Sequence, residues 1–353
     1  MSLRRLQVTD FRCLQSAQLE LDPQFTLISG PNATGKTSLL EAIYVLGRGR
    51  SFRTRRLEHL IRVGRQRFVV LGEIAMPERR VGLGVEGSAT GIRAKLGGDK
   101  APLAELASVL PVQIIDPEVH RLIEEGPGRR RRFLDWGVFH VEPGFVAYWQ
   151  KYQLALKQRN AALKAKQPRA ITSAWDEDLV RYGEQLTAAR SHYIALLVDQ
   201  ARTLAKNLLG MELTLAYRPG WGRDMSLSEA LQQSWEHDLE SGATQVGPQR
   251  AELSIRLDGV AVKDRISRGQ QKLLAAALLM AQVKLFPRDA PVQPSLLLDD
   301  PAAELDNERL AELMSEISSH AVQLIVTTLH GEFAALGTPG RRFSVGEGGV
   351  QSA

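Results

Sequence analysis

The residues Gly30-Pro31-Asn32-Ala33-Thr34-Gly35-Lys36-Thr37 fit the Gly-x-x-x-x-Gly-Lys-Thr pattern of a phosphate-binding loop. Phosphates need close donors. Glycines let the backbone approach, and the first N–H groups of the following helix have no partner inside it. Lys36 would place its charge on the β- and γ-phosphates of a nucleoside triphosphate, and Thr37 would give its hydroxyl to Mg²⁺. The nucleotide-binding set runs from Gly30 through Pro31, Asn32, Ala33, Thr34, Gly35, Lys36 and Thr37 to Ser38. Ala33 stands where many such loops carry Gly. A positive φ there would strain it by about 1 kcal/mol.

A second constellation closes the run Leu296-Leu297-Leu298-Asp299-Asp300. A continuous apolar run reads as a buried parallel strand, and acids at its C-terminal end sit where ligands bind in such sheets. Asp299 is the expected Mg²⁺ partner, through water, and Asp300 would orient or deprotonate the attacking water. The competing reading of the two acids is a helix N-cap. Their distance from Lys36 along the chain argues against a compact P-loop kinase. A third element, Ser267-Arg268-Gly269-Gln270-Gln271, opens a helical stretch. Ser267 or its neighbour can cap that helix, Gly269 allows close backbone approach, and the helix dipole favours an anion.

These residues need elements to hold them. Phe25-Ser29 reads as a strand before the loop, and Ser38-Leu46 as a helix after it. Leu3-Val8, Ser16-Leu21, Phe68-Ile74, Val81-Val85 and Val112-Ile115 read as further strands. From Glu118 to about Leu209 the pattern turns helical. Leu179, Tyr182, Leu186, Ala189, Tyr193 and Leu196 form one seam, and Phe145, Trp149 and Tyr152 a second stripe, both expected in a core. Lys166-Gln167-Pro168-Arg169 breaks the two long helices. Strands return at Glu212-Tyr217 and Glu252-Leu257, a helix at Gln270-Phe286, a loop at Pro287-Pro294, and strands at Ser295-Leu298 and Val322-Thr327. The pattern predicts an ATPase lobe at 1–117 and 211–353 interrupted by a helical insertion at 118–210.

The chain has 353 residues, 44% hydrophobic and 24% charged, as in soluble globular proteins. The longest apolar run, Leu273-Ala281, is too short to span a bilayer. Met1 to Asp10 does not read as a signal peptide, and the single Cys13 excludes an intrachain disulfide. A cytoplasmic location is expected. The net charge of +5 is modest, but arginines bunch at Arg48, Arg50, Arg53, Arg55 and Arg56, and at Arg129-Arg130-Arg131-Arg132. Such clusters suit phosphate backbones. The expected DNA contacts are Arg50, Arg53, Arg55, Arg56, Arg129, Arg130 and Arg131. The alternative is that neighbouring acids balance them in the fold.

Ser267 to Gln271 and the Asp-Asp strand resemble the signature segment and acidic strand of ABC-type ATPases. That resemblance implies head-to-tail dimers, in which the signature residues Ser267, Arg268, Gly269 and Gln270 read the γ-phosphate held by the other subunit. It places Gln113 on Mg²⁺ and the attacking water. It makes Ala303-Glu304-Leu305-Asp306 a dimer-crossing loop, and puts Thr327, Thr328 or His330 at the switch position for the γ-phosphate. His330 reads equally well as a surface histidine.

The whole chain resembles the RecF family. The carrying residues are the phosphate loop, Gly49-Arg50-Ser51-Phe52-Arg53-Thr54, Gly126-Pro127 through Arg132-Phe133-Leu134-Asp135-Trp136, Gln158 to Leu163, Gly247-Pro248-Gln249-Arg250-Ala251-Glu252-Leu253, Ser267 to Gln270, and Leu298-Asp299-Asp300. The departures are Ala33 in place of Gly, Gln249 and Glu252 where His and Asp are common, Pro301 after the acids, and Thr-Leu-His at the switch. The resemblance implies an α/β fold, an ABC-type P-loop ATPase head with a mixed sheet, plus an inserted α-helical lobe. It implies ATP and Mg²⁺ as cofactors. Function would be an ATP-gated DNA clamp of recombinational repair and replication restart, a homodimer when ATP-bound. It would act at junctions of duplex and single-stranded DNA, with RecR and RecO as partners in RecA loading and no membrane. Hydrolysis would be weak, DNA-stimulated, and used for release. The rival readings are an ABC transporter ATPase subunit and a small-molecule P-loop kinase.

Overall fold

The computed structural model describes residues 2–76, 79–264, 266–286, 292–301, 307–318, 322–329, 337–346 and 349–352. Along the chain come β1 (Ser2–Phe11), β2 (Leu14–Glu20), β3 (Phe25–Ser29), α1 (Lys36–Arg48), β4 (Arg67–Ala75), β5 (Arg80–Ser88), β6 (Gly91–Leu96), β7 (Asp99–Ala101), α2 (Leu103–Val109) and β8 (Val112–Ile115). Then follow α3 (Arg121–Glu124), α4 (Pro127–Val141), α5 (Phe145–Lys164), α6 (Arg169–Thr172), α7 (Asp176–Leu209), β9 (Leu213–Arg218), α8 (Leu227–Gln233), α9 (Trp235–Ser241), β10 (Glu252–Leu257) and β11 (Val260–Ala261). The rest comprises α10 (Arg268–Lys284), β12 (Ser295–Asp299), α11 (Asn307–Ser318), β13 (Gln323–Thr328), β14 (Arg341–Gly346) and β15 (Gly349–Ser352).

Two compact units emerge, one of residues 1–119 and 276–353, the other of 120–275. The second unit therefore takes in 211–275, which the sequence pattern assigned to the ATPase lobe. The reason is pairing: β9 runs antiparallel to β10, and both belong with the long helices rather than with the nucleotide-binding sheet.

The first unit holds two six-stranded sheets. One is antiparallel, in the order β2-β1-β4-β5-β6-β7; the other runs β15-β14-β3-β13-β12-β8. In the second sheet β3, β13, β12 and β8 are parallel neighbours. β8, β12 and β13 are buried at every position, which is why they read as unbroken apolar runs. β4 alternates buried and open positions, as a sheet with one wet face must. One core joins side chains of both sheets to Leu39, Leu40, Ile43 and Leu46 of α1. Each such aliphatic side chain contributes about 1.5–3 kcal/mol on burial, so α1 is held by packing on both sides rather than by propensity.

In the second unit α7 buries Leu179, Leu186 and Tyr193 as the seam requires, but Leu196 is 41% exposed and Leu197 takes the inward place. On α5, Phe145 and Tyr152 are buried while Trp149 is 40% exposed, so the aromatic stripe is narrower than its spacing suggests. Arg159 and Arg190 are buried inside this unit. Arg159 binds Asp176, Asp238 and Thr244, and Arg190 binds Asp135 and the Pro248 carbonyl. The Asp176 carboxyl is pushed up by burial, against the pull of Arg159. Gln249 accepts from the Tyr152 hydroxyl and donates to the Val246 carbonyl at 2.8 Å. The Arg159 and Gly247–Leu253 motifs thus build a polar core that fixes the unit internally.

Candidate functional site

β3 ends at Ser29 and α1 begins at Lys36, with the phosphate loop between them. Gly30 has φ +151, and a Cβ there would lie 2.2 Å from the Val345 carbonyl oxygen. Gly35 has φ +108, and a Cβ there would press on Leu14. Only glycine fits at these two positions. Ala33 has φ +65, so the expected strain is present. Gly35 supplies no side-chain cap to α1, which suits the helix start to an anion. Pro31, Asn32 and Ala33 are exposed, and Thr34 is half-buried with its hydroxyl donating to the Pro31 carbonyl at 2.9 Å.

Lys36 is buried, and its ammonium donates to the carbonyls of Gly30 at 2.7 Å and Pro31 at 2.8 Å. The charge is therefore folded back over the loop that would surround a phosphate. Thr37 Oγ1 donates to the Asp299 carboxylate, 3.0 Å from each oxygen. Thr327 Oγ1 donates to the same carboxylate at 2.7 Å. Parallel pairing puts the C-terminal ends of β3, β13 and β12 at one sheet edge, which is how residues so distant in sequence meet. Burial pushes the Asp299 carboxyl up. The Thr327 and Thr37 hydroxyls and the Arg53 charge oppose this, and the neighbouring Asp300 adds to it. A cation at Asp299 would reverse that balance. The hydroxyl and carboxylate pair fits Mg²⁺, which takes one or two protein oxygens besides phosphates and water.

Asp300 adopts φ +46, and its N–H donates to the Thr327 carbonyl and hydroxyl, both at 3.1 Å. These two bonds pin its backbone beside Asp299. Thr328 lies next to Ser29 of β3 and is buried, but it is Thr327 whose hydroxyl engages the carboxylate. Ser38 is buried at the start of α1, 3.6 Å from the Cys13 sulfur. His330 and the segment Ala303 to Asp306 lie outside the described residues.

Gln113 departs from expectation. It pairs with Leu296, not with Asp299, and so lies three strand positions from that level, about 10 Å along the strand. It is buried, and its amide donates to Gln282 at 2.6 Å. An interior amide so placed does not reach the Asp299 carboxylate. Asp116, directly after β8, stands at the edge where Gln113 was expected.

In the second unit Ser267 and Gln270 form a reciprocal cap at the start of α10. The Gln270 N–H donates to Ser267 Oγ at 3.2 Å, and the Ser267 N–H to Gln270 Oε1 at 3.0 Å. Ser267, Arg268 and Gly269 are exposed. A Cβ on Gly269 would meet only Ser267 Oγ, at 3.9 Å.

The arginines divide. Arg50, Arg53, Arg55 and Arg56 are exposed. Arg48 stacks over Tyr44 at 5.4 Å, and burial pushes its guanidinium down to about 10. Arg130, by contrast, is buried, bidentate to Glu252 at 2.7 and 2.8 Å, and bonded to the carbonyls of Ile123 and Glu125. It cannot meet a DNA backbone while so held. Arg131 donates to the Ala251 carbonyl at 2.7 Å and Arg129 to Glu125 at 2.9 Å.

Sequence reading missed Arg12 and Glu41. Arg12 follows β1 and holds Glu41 of α1 by two bonds of 2.7 Å. An acid inside the apolar run Leu39 to Ile43 was the available signal.

Residues 2–342 match the family model of the RecF/RecN/SMC N terminal domain. The chain is 39% identical over 335 residues to the DNA replication and repair protein RecF of Escherichia coli O1:K1 / APEC, with 94% of each chain covered. The same protein from Escherichia coli strain K12 / DH10B matches equally. Among solved structures, the recombination mediator protein RecF-ATP of the RecFOR pathway aligns at TM-score 0.88 and 25% identity, covering 100% of this chain and 97% of that one. The Smc head domain of Pyrococcus furiosus shares the fold at TM-score 0.60 and 18% identity, covering 100% of this chain and 96% of that one. On these matches the chain belongs to the RecF family, within the RecF/RecN/SMC group.

Proposed function

We propose that this chain is an ATP-gated DNA-binding protein of DNA replication and recombinational repair. In this reading two copies join head to tail over ATP on DNA, and slow hydrolysis releases them. The observation that carries it is the meeting of Thr37, Asp299 and Thr327 at the start of the helix that Lys36 opens, which supports a triphosphate site with a metal. Lys36 exchanges its loop carbonyls for phosphate oxygens. Thr37, and Asp299 through water, would hold Mg²⁺, which would supply charge neutralisation at the phosphates. Asp300 orients or deprotonates the attacking water. Ser267, Arg268, Gly269 and Gln270 serve the γ-phosphate of the other copy. The open space at Gly269 supports that role, because among the described residues none crowds a Cβ there. Ligand shared by two half-sites links dimerisation to ATP.

The exposed arginines from Arg50 to Arg56 contact backbone phosphates, so binding is salt-dependent and sequence-tolerant. The same reading takes gap junctions as the preferred DNA, RecO and RecR as partners and the cytoplasm as location; the RecF structure described in the RecFOR pathway supports the choice of partners. The reading as an ABC transporter subunit is not favoured: the curated relatives are DNA replication and repair proteins.

Sedimentation with Mg·ATP and gapped duplex DNA, added separately and together, tests this. The native chain dimerises with ATP, and Lys36→Ala stays monomeric. An equal dimer fraction in Lys36→Ala would overturn the proposal.

A further inference from the structure

Glu41 is an acid on the phosphate-loop helix with no exposed surface, and it gathers partners from two other segments. Arg12 reaches it from the β1–β2 turn through two bonds of 2.7 Å. The Ser51 hydroxyl donates to it from the segment after α1. Arg53 stands 3.8 Å away and is 48% exposed. A buried carboxylate without partners is costly, so these contacts determine where the two segments lie.

Each segment carries a further mark of being held. Asp10 and Arg12 have φ +52 and +54, left-handed values that cost about 1–2 kcal/mol in a non-glycine residue. The bidentate Arg12–Glu41 pair offsets that strain. Ser51 Oγ also accepts the N–H groups of Arg53 at 2.9 Å and Thr54 at 3.0 Å. One hydroxyl thus joins Glu41 to the turn that launches Arg53, Arg55 and Arg56.

The partners differ in kind. Arg12 is tightly bonded and mostly buried, with a side chain 19% exposed. Arg53 touches the same carboxylate loosely, and its charge also acts on Asp299. Arg53 can leave Glu41 for an outside phosphate without stranding the carboxylate, because Arg12 and Ser51 remain. Glu41 is therefore a fixed anchor with one exchangeable cation. It lies little more than one helical turn after Lys36.

We infer that Glu41 is a positioning residue that couples nucleotide binding to DNA binding, by tying the arginine-bearing segment from Ser51 to Arg56 to the phosphate-loop helix. This rests on the ATP-gated DNA reading above. Nucleotide at Lys36 sets the pose of α1, Glu41 passes that pose to the Ser51 turn, and the turn sets Arg53, Arg55 and Arg56 against DNA. By linkage, DNA raises ATP affinity by the same factor that ATP raises DNA affinity.

The test measures Mg·ATP affinity with and without a short gapped duplex, and the affinity of that duplex with and without Mg·ATP. The variants are Ser51→Ala and Glu41→Gln. Ser51→Ala should leave ATP affinity without DNA within about twofold and cut the coupling factor by about three- to tenfold. Glu41→Gln should abolish the coupling. A merely structural role would shift each affinity without shifting their ratio. If Glu41→Gln does not fold, Ser51→Ala decides, because it leaves the Arg12–Glu41 pair intact. Native coupling that survives unchanged in folded Ser51→Ala overturns this inference alone. Absence of ATP–DNA coupling in the native chain overturns the function proposed above, and this inference with it.

Discussion

The arginines of residues 48–56 and those of residues 129–132 look alike as sequence, yet the fold uses them in opposite ways. In the first group Arg50, Arg53, Arg55 and Arg56 are exposed, and Arg53 rests loosely on Glu41, 3.8 Å away. In the second group Arg129 is tied to Glu125, Arg130 is clamped on Glu252 and two carbonyls, and Arg131 on the Ala251 carbonyl. The difference lies in the scaffold. Residues 129–132 belong to α4, whose inward face packs on β10, so part of the run must point inward. A run of consecutive residues on a helix covers all of its sides. Most of residues 50–56 lie outside regular helix or strand, where no face is committed to a core. Charge density along a sequence therefore does not tell a binding surface from an internal brace.

The largest expected effect separates the two groups by stability. Arg130→Ala should cost about 3 kcal/mol, because it strands Glu252 and two carbonyls, as read by urea unfolding. Its folded fraction should keep its DNA affinity. A stable Arg130→Ala that had lost DNA binding would reverse the comparison. Next, Arg55→Ala with Arg56→Ala should leave unfolding within about 0.5 kcal/mol but weaken DNA binding about tenfold and flatten its salt slope by roughly 2. An unchanged slope in a salt titration would remove these arginines from the interface.

The smallest effect concerns pH. The hydrogen bond from Arg129 holds the Glu125 carboxyl below its ordinary value of 4.5, against the pull of burial. A carboxyl lowered by folding stabilises the fold above its unfolded pKa, and that contribution fades as pH falls through the folded one. NMR titration should find Glu125 protonating below 4.5, and Arg129→Ala should return it to the ordinary range. No return would mean that Arg129 is not the brace described here.

Much of the local structure around the candidate residues was legible before any fold was known. The phosphate loop, the Asp299-Asp300 strand end and the cap at Ser267 each depend on local chemistry: positive φ at Gly30 and Gly35, an apolar strand, a hydroxyl before a helix. The Gln113 expectation failed because strand register decides which residue reaches the sheet edge, and register is a tertiary property. The partner of β9 is likewise a tertiary matter: β10, well downstream in the chain, pairs with it across the stretch after residue 210.

By itself the sequence determined a strand, a loop with two glycines no other residue could replace, a helix, and an apolar strand ending in acids, because glycine and the apolar runs act there through their own conformational and burial preferences. Only the tertiary structure decided that Thr327 joins Thr37 on Asp299, that Arg12 and Ser51 converge on Glu41, and that Arg130 is a brace. Those roles depend on which distant segment arrives opposite each side chain, and long-range packing alone sets that.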